Sequence, residues 1–390
     1  MKKILMLSQT VFPPDIRLEK EIKSLYKNGY KISVICNQYD KTNSPPFPYC
    51  EIIRIHAVFN SVKLNKIINF PFFLNPRFLL TVFKSIIKIR PDVIHAHDLP
   101  MVPLAILYGK LFRISVIFDM HENYPEALKV FQKKGIVNFV FKNYRIAKIL
   151  EKLCVKWSDK IIVVVEENKE RLINLGVNTA KIFVVSNTVD LVTFKINAGY
   201  KISLSDELKS RKIVLYTGTV SPERGLITPI LGMKYIKNNK SNLVLLIVGE
   251  GPHKNHLKQL VIKENLSDKV ILMDWPGHKY IPSLIYHSLI CIIPQPSNDF
   301  INTTIPHKLF EYMAMSKPVL TSDAKPFKRI IEESSAGLVF KSNDPENFAK
   351  VILEIASSEI NFGKNGVKAV EEKYNWENDS KVLVNMYKSL

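Results

Sequence analysis

The chain has 390 residues, two to three times the length of a typical single domain, so two domains with separate cores are expected. Its 46% apolar and 23% charged residues exclude a disordered or fibrous chain. The four cysteines, Cys36, Cys50, Cys154 and Cys291, lie far apart; this excludes a disulfide scaffold and a zinc finger and fits a reducing cytoplasm.

Charge is uneven. Lys and Arg number 55 against 36 Asp and Glu, a net of +19, of which +14 falls on residues 1–200 and +5 on residues 201–390. A local excess points to a surface task for the first half, with an anionic membrane, nucleic acid or an anionic substrate as partner. No apolar run approaches the roughly 20 residues of a spanning helix. Lys2 and Lys3 open like a secretory signal, but Ser8, Gln9 and Thr10 end the apolar run short of the about 7–15 residues such a segment needs. It reads instead as a first strand.

In chain order, Ile4–Ser8 has strand length, and Ile16–Asn28 has helical apolar spacing with Gly29 at the stop position. Lys31–Cys36, Ile52–His56, Val93–His95, Val116–Asp119, Ile161–Val165 and Ile182–Val185 are near-continuous β-branched runs, as in strands buried on both faces of a parallel sheet. Pro76–Ile89 and Val137–Trp157 read as helices between them. The second half repeats the pattern: strands at Ile213–Tyr216, Leu243–Val248, Val270–Met273, Ile290–Ile293 and Val319–Thr321, helices at Leu257–Glu264, Lys308–Met315 and Pro345–Ala356. Two α/β domains with doubly wound, Rossmann-like sheets facing a cleft are therefore expected: residues 1–192, a polar linker over 193–211, residues 212–374, and a C-terminal helix over 375–390 that packs back on the first domain.

Ligands of such sheets bind beyond the carboxyl ends of the strands, and four segments there carry chemistry. After Ile213–Tyr216, Gly218 and Arg224 offer close backbone approach and a forked guanidinium for a phosphate, although a plain surface turn would look the same. After Leu243–Val248, Gly249 and Gly251 make a flexible turn, equally compatible with a tight strand–helix connection. In Asn302–Ala314, Thr303 or Thr304 is expected to cap a helix carrying Pro306 in its first turn, whose dipole favours an anion. Lys308 would meet the same anion and Glu311 a ribose diol, unless the two are only an exposed i, i+3 pair. In the first half, His97 with Asp98, and His121 with Glu122, end two strands and form a polar cluster toward the cleft. No Asp-x-Asp occurs, so no metal ligand is assigned and no metal or other cofactor is expected.

Arg224-Gly225, Gly249-Glu250-Gly251-Pro252, Asp119-Met120-His121-Glu122 and the run Pro306–Val319 together resemble the family-4 retaining glycosyltransferases with the GT-B fold, in order over nearly the whole chain. The resemblance implies transfer of a sugar from a nucleotide-sugar donor, without metal and with retention, to a glycan or lipid-linked acceptor, in surface polysaccharide, lipopolysaccharide or glycolipid synthesis. It implies that Arg224 and Lys308 hold the donor diphosphate, that Glu311 is the second glutamate of the family's E-x₇-E motif and holds the ribose, and that His121 stands beside the donor sugar. The chain departs from the family at Thr303, where the first glutamate of that motif is expected, at Thr219 in place of a diphosphate arginine, and at Pro13–Arg17 in place of a Gly-Gly loop. Asp15 and Arg17 fall there, and Arg17 is expected to restore a cation over the cleft. A nucleotide-sugar 2-epimerase of the same fold, a catalytically dead relative, or a basic binding protein are the alternatives. No nucleic-acid recognition motif is present.

The acceptor side is read from charge. Ile52–Pro91 has no acid, seven basic residues and six interleaved phenylalanines; Lys129–Lys160 has nine basic residues against two acids. A basic amphipathic surface of this kind suits the inner face of a membrane. The expected location is cytoplasmic and peripheral to that face, unless the phenylalanines are core and the lysines merely solvated.

Overall fold

A computed structural model describes residues 1–38, 47–56, 58–62, 64–65, 75–131, 143–197, 199–236 and 242–390. It divides into two units, Met1–Ser186 with Asp379–Leu390, and Asn187–Asn378. Each unit is built on a parallel sheet.

In the first unit the strands are β1 (Lys3–Leu7), β2 (Lys31–Asn37), β3 (Glu51–Ile55), β4 (Val93–His97), β5 (Ser115–Met120), β6 (Lys160–Val163) and β7 (Ile182–Val184), in the order β3-β2-β1-β4-β5-β6-β7. Strand order reverses between β1 and β4, so the switch point that suits a ligand lies beyond Leu7 and His97. The core gathers Leu5, Ile94 and Phe118 from the strands with Phe78, Leu104 and Cys154 from the helices Pro76–Ile89, Val102–Phe112 and Tyr144–Trp157. The C-terminal residues Asp379–Leu390 belong to this unit, and Tyr387 is fully buried there.

In the second unit the strands are β8 (Lys212–Thr217), β9 (Leu243–Val248), β10 (Val270–Met273), β11 (Ser288–Ile293), β12 (Val319–Ser322) and β13 (Gly337–Phe340), in the order β10-β9-β8-β11-β12-β13. The switch point lies between β8 and β11. Leu243–Val248 is buried at every position, which is why an uninterrupted apolar run marks it. The edge strand β13 was not expected. Its four residues begin with a glycine, which the close approach of the neighbouring strand requires: a Cβ at Gly337 would stand 1.8 Å from the Val319 carbonyl oxygen. The helix expected from Leu257 begins a turn earlier, at Lys254.

Among the phenylalanines expected at a membrane face, Phe78 is core whereas Phe59 and Phe83 are exposed. Lys63, Lys66, Phe70, Phe72, Phe73, Phe139 and Val140 lie outside the described residues. No described helix is long and apolar enough to cross a membrane.

Candidate active site

The first unit buries charge at the end of β4 and β5. His97 on β4 is in register with Asp119 on β5. His95, two residues before His97, points to the same side of the strand, and the two rings stack with centroids 4.3 Å apart. The helix Ile16–Lys27 supplies the counter-charge. Asp15 caps it, accepting from the backbone N–H groups of Arg17 and Leu18 at 3.1 and 3.0 Å, and that start turns Arg17 and Glu21 inward, one helical turn apart.

Arg17 is therefore not a free cation. Its Nη2 lies 3.0 Å from Asp119 Oδ1, its Nε 3.0 Å from Glu21 Oε1, and its Nη1 donates to the Val185 carbonyl at 3.1 Å. This corrects the expectation that it restores a cation for a ligand: two carboxylates buried in a low-dielectric interior take it first. Asp15 is likewise occupied as a helix cap.

His121 is the more accessible member of the group. Its Nε2 lies 3.0 Å from Asp119 Oδ2 and 3.2 Å from His97 Nδ1, and its Nδ1 lies 3.6 Å from Asp98. Burial opposes a charge on this ring, but Asp98 and Asp119 outweigh it and raise His121 to about 10. His95 moves the other way, lowered to about 4 by burial and the neighbouring His97. Burial would raise Asp119, yet Arg17 and His121 hold it well below the usual carboxylate range. Glu21 is raised to about 7 by burial and by the Asp119 charge. Glu122 shares this neighbourhood with Asp98: burial and these two charges push the Tyr124 hydroxyl up to about 12.

Among the described residues, Glu21, His95, His97 and Asp119 have metal-ligand chemistry, with ligand atoms within 4.8 Å of one another. Arg17 already lies against both carboxylates and supplies the positive charge a metal would bring, so the group fits a metal poorly.

The second unit holds the other predicted residues. At the end of β8, Gly218 takes φ +124°, a conformation that favours glycine. Lys308 Nζ donates to the Thr217 carbonyl at 2.8 Å, rests 3.7 Å from the centre of the Tyr216 ring, and lies 3.4 Å from where a Gly218 Cβ would stand. Tyr312, one turn along the same helix, accepts from the Thr217 backbone N–H at 3.0 Å and pins that helix to β8. Arg224 ends the turn Pro222–Arg224; its Nε is buried, and no described residue hydrogen-bonds it, Glu223 standing 3.8 Å away. Burial and the like charge of Arg224 push Lys308 well below the ordinary lysine value.

Lys308 thus turns to β8 rather than pairing with Glu311. Glu311 pairs with His278, whose Nε2 lies 3.2 Å away and which its hydrogen bond raises above the usual imidazole value. The cap expected of Thr303 is corrected as well. The Thr303 hydroxyl donates back to the carbonyls of Asp299 and Phe300 at 3.1 and 2.9 Å, closing its own turn. Thr304 is extended, Pro306 precedes the helix, and the helix runs only from Lys308 to Ala314. Gly249 and Gly251 serve close packing: a Cβ on Gly249 would stand 1.8 Å from the Gly218 carbonyl oxygen, and one on Gly251 2.1 Å from that of Val220. Val220 N–H donates to the Glu250 carbonyl at 2.8 Å, and His253 N–H to the Val220 carbonyl at 3.1 Å. The turn after β9 is a buttress for the turn after β8.

Sequence reasoning missed Glu21, His95, Tyr387 and His278 as members of these groups, and named Asp119 only within the strand-end run Asp119–Glu122. The i, i+4 spacing of Arg17 and Glu21 and the i, i+2 spacing of His95 and His97 were the available signals.

Family models match both halves of the chain: Glycosyltransferase Family 4 over residues 18–192 and Glycosyl transferases group 1 over residues 204–375. The chain belongs to the group 1 glycosyltransferases of the family 4 type. It is 22% identical to the alpha-D-kanosaminyltransferase of Streptomyces kanamyceticus over 186 residues, 47% of each chain, so the match spans about half of that relative. Its fold is that of the sucrose-phosphate synthase of Thermosynechococcus elongatus (TM-score 0.79, 18% identity, 100% of this chain and 99% of the other). It is also that of the Anabaena protein HepE solved with UDP-glucose (TM-score 0.70, 15% identity, 100% of both chains). These are GT-B glycosyltransferase folds. In a glycosyltransferase, two cations held at one strand end suit the charge that develops on a departing phosphate.

Proposed function

We propose that this glycosyltransferase takes its sugar from a nucleotide-sugar donor bound at the carboxyl end of β8. The observation that carries the reading is the pair Arg224 and Lys308. Burial and the neighbouring Arg224 charge disfavour a proton on Lys308, and the buried Nε of Arg224 has no described hydrogen-bond partner. A bound diphosphate would relieve both conditions. Gly218 lets the backbone approach the same anion, and Glu311 is assigned to the ribose. The chemistry at the donor sugar is assigned to His121, on the family resemblance.

Leaving-group charge is neutralised by Arg224, Lys308 and backbone N–H groups, so transfer needs no metal; retention of configuration is carried over from the family resemblance alone. The acceptor is a glycan or a lipid-linked glycan, used in surface polysaccharide, lipopolysaccharide or glycolipid synthesis at the inner face of a membrane. HepE, solved with UDP-glucose, makes UDP the first nucleotide to test.

A thermal-shift panel of UDP, GDP, ADP, CMP and dTDP with their sugar conjugates, with and without magnesium, tests the donor site. The expected result is that one base raises the melting temperature without metal. No shift from any nucleotide would remove the donor-site assignment.

A further inference from the structure

We propose that the outer faces of the helices Pro76–Ile89, Val102–Phe112 and Tyr144–Trp157 form one docking surface for an anionic lipid bilayer. It deepens the lipid-linked acceptor reading, on which its biological use rests.

The three helices are neighbours. Each links strands in one direction along the sheet, β3 to β4, β4 to β5 and β5 to β6, and right-handed crossovers place all three on one face. The Tyr108 hydroxyl donates to the Leu79 carbonyl at 3.0 Å, the Phe83 ring lies 6.0 Å from that of Phe112, and Lys110 Nζ stands 4.0 Å over the Trp157 ring.

On these helices every exposed side chain is apolar or basic. Leu80, Ile87, Leu107, Leu111 and Ile149 are each more than half exposed, a concentration of apolar side chains that marks an interaction surface. Between them stand Lys84, Lys88, Lys110, Lys148, Lys152 and Lys156, all exposed. The single acid on the three helices, Glu151, is buried and engaged by Arg171 at 2.8 and 3.0 Å. Lys88 pairs with Glu51 on the edge strand β3, at 3.8 Å. Acids lie at the margin of the face: exposed Asp159 beyond the end of Tyr144–Trp157, Glu126 on the adjoining helix Tyr124–Val130, held by Lys129 at 2.7 Å, and Glu166, Glu167 and Glu170 on Glu166–Asn174.

The charge pattern selects the occupant. A second copy of these helix faces would set lysine against lysine, with no exposed acid on the helices themselves to answer it. A nucleic-acid backbone would pair with the lysines but gain nothing from the aliphatic side chains between them. A bilayer with anionic headgroups takes both: the apolar side chains enter the acyl boundary, the lysines reach up to the phosphates, and Trp157 suits the interface.

The test is flotation of the full chain with phosphatidylcholine–phosphatidylglycerol vesicles against phosphatidylcholine alone. Wild type is expected to float with the anionic vesicles only. Lys148→Glu/Lys152→Glu/Lys156→Glu is expected to weaken binding by about a hundredfold or more, and Leu111→Ser/Ile149→Ser to remove the part that survives high salt. Lys258→Glu/Lys263→Glu, exposed in the second unit, should bind like wild type. Absence of wild-type flotation, or equal flotation of all variants, overturns the proposal. So does a wild-type dimer that the serine pair dissociates, which would make the occupant a second copy. All substituted side chains are exposed, and retention of any nucleotide-induced thermal shift reports separately on the donor site.

Discussion

The Tyr387 hydroxyl lies 2.6 Å from Nδ1 of His95, both side chains fully buried. His95 Nε2 faces Asp119 Oδ2 at 3.6 Å. A hydroxyl donating to Nδ1 leaves the ring proton on Nε2, toward the carboxylate that also holds His121. The C-terminal helix thereby sets the protonation pattern of a cluster more than 260 positions earlier in the chain. Tyr387→Phe removes the partner of a buried ring nitrogen and should cost about 1–3 kcal/mol, read as a lower urea midpoint. An unchanged midpoint would show that the hydrogen bond does not hold the cluster.

Arg224→Ala and Lys308→Ala should each lower turnover by roughly 10²–10³ with the fold intact. Nucleotide release in the presence of acceptor, beside circular dichroism, checks both. Wild-type rates in the two variants would displace the donor site from β8.

Nucleoside diphosphate affinity should fall as pH rises. Lys308 is held well below its ordinary value in the free protein by burial and Arg224, and a bound dianion restores its proton, so binding takes a proton up. Affinity is highest below the depressed value and declines above it, until the bound-state value is passed. Calorimetry in buffers of different ionisation enthalpy measures the uptake, and Lys308→Met should abolish it.

Stability of the first unit should decline between about pH 6.5 and 10 through His121. The folded ring keeps its proton to about 10, whereas an unfolded histidine releases it near 6.5. The folded state binds the extra proton in that window, so its advantage is complete below the window and lost as pH rises through it. Urea titrations across the window should show a weaker slope for His121→Gln.

The strands of both sheets were legible because parallel strands buried on both faces are written as unbroken apolar runs: Leu243–Val248 and Val270–Met273 are found at their expected residues. A helix end was legible where a glycine marks it: Gly29, read as the stop, follows the helix Ile16–Lys27 with φ +82°. What periodicity hides is charge folded inward. Glu21 on a helix and His95 on a strand occupy positions that a pattern of apolar residues assigns to the core, and only their partners across the sheet reveal why a charge is tolerated there. Thr303 shows the converse: a hydroxyl in a capping position was drawn into the turn before it.

The carbonyl of Gly218 stands where any side chain on residue 249 would have to begin. Substituting Gly249 with Ala should cost about 1–3 kcal/mol or more and weaken nucleotide binding, since the chain after β8 must retreat to admit a methyl group. The two turns therefore behave as one part. Lengthening either turn, or transplanting it from another glycosyltransferase, would require its companion to travel with it, so donor preference in this unit is expected to be inherited in paired loops rather than altered one loop at a time.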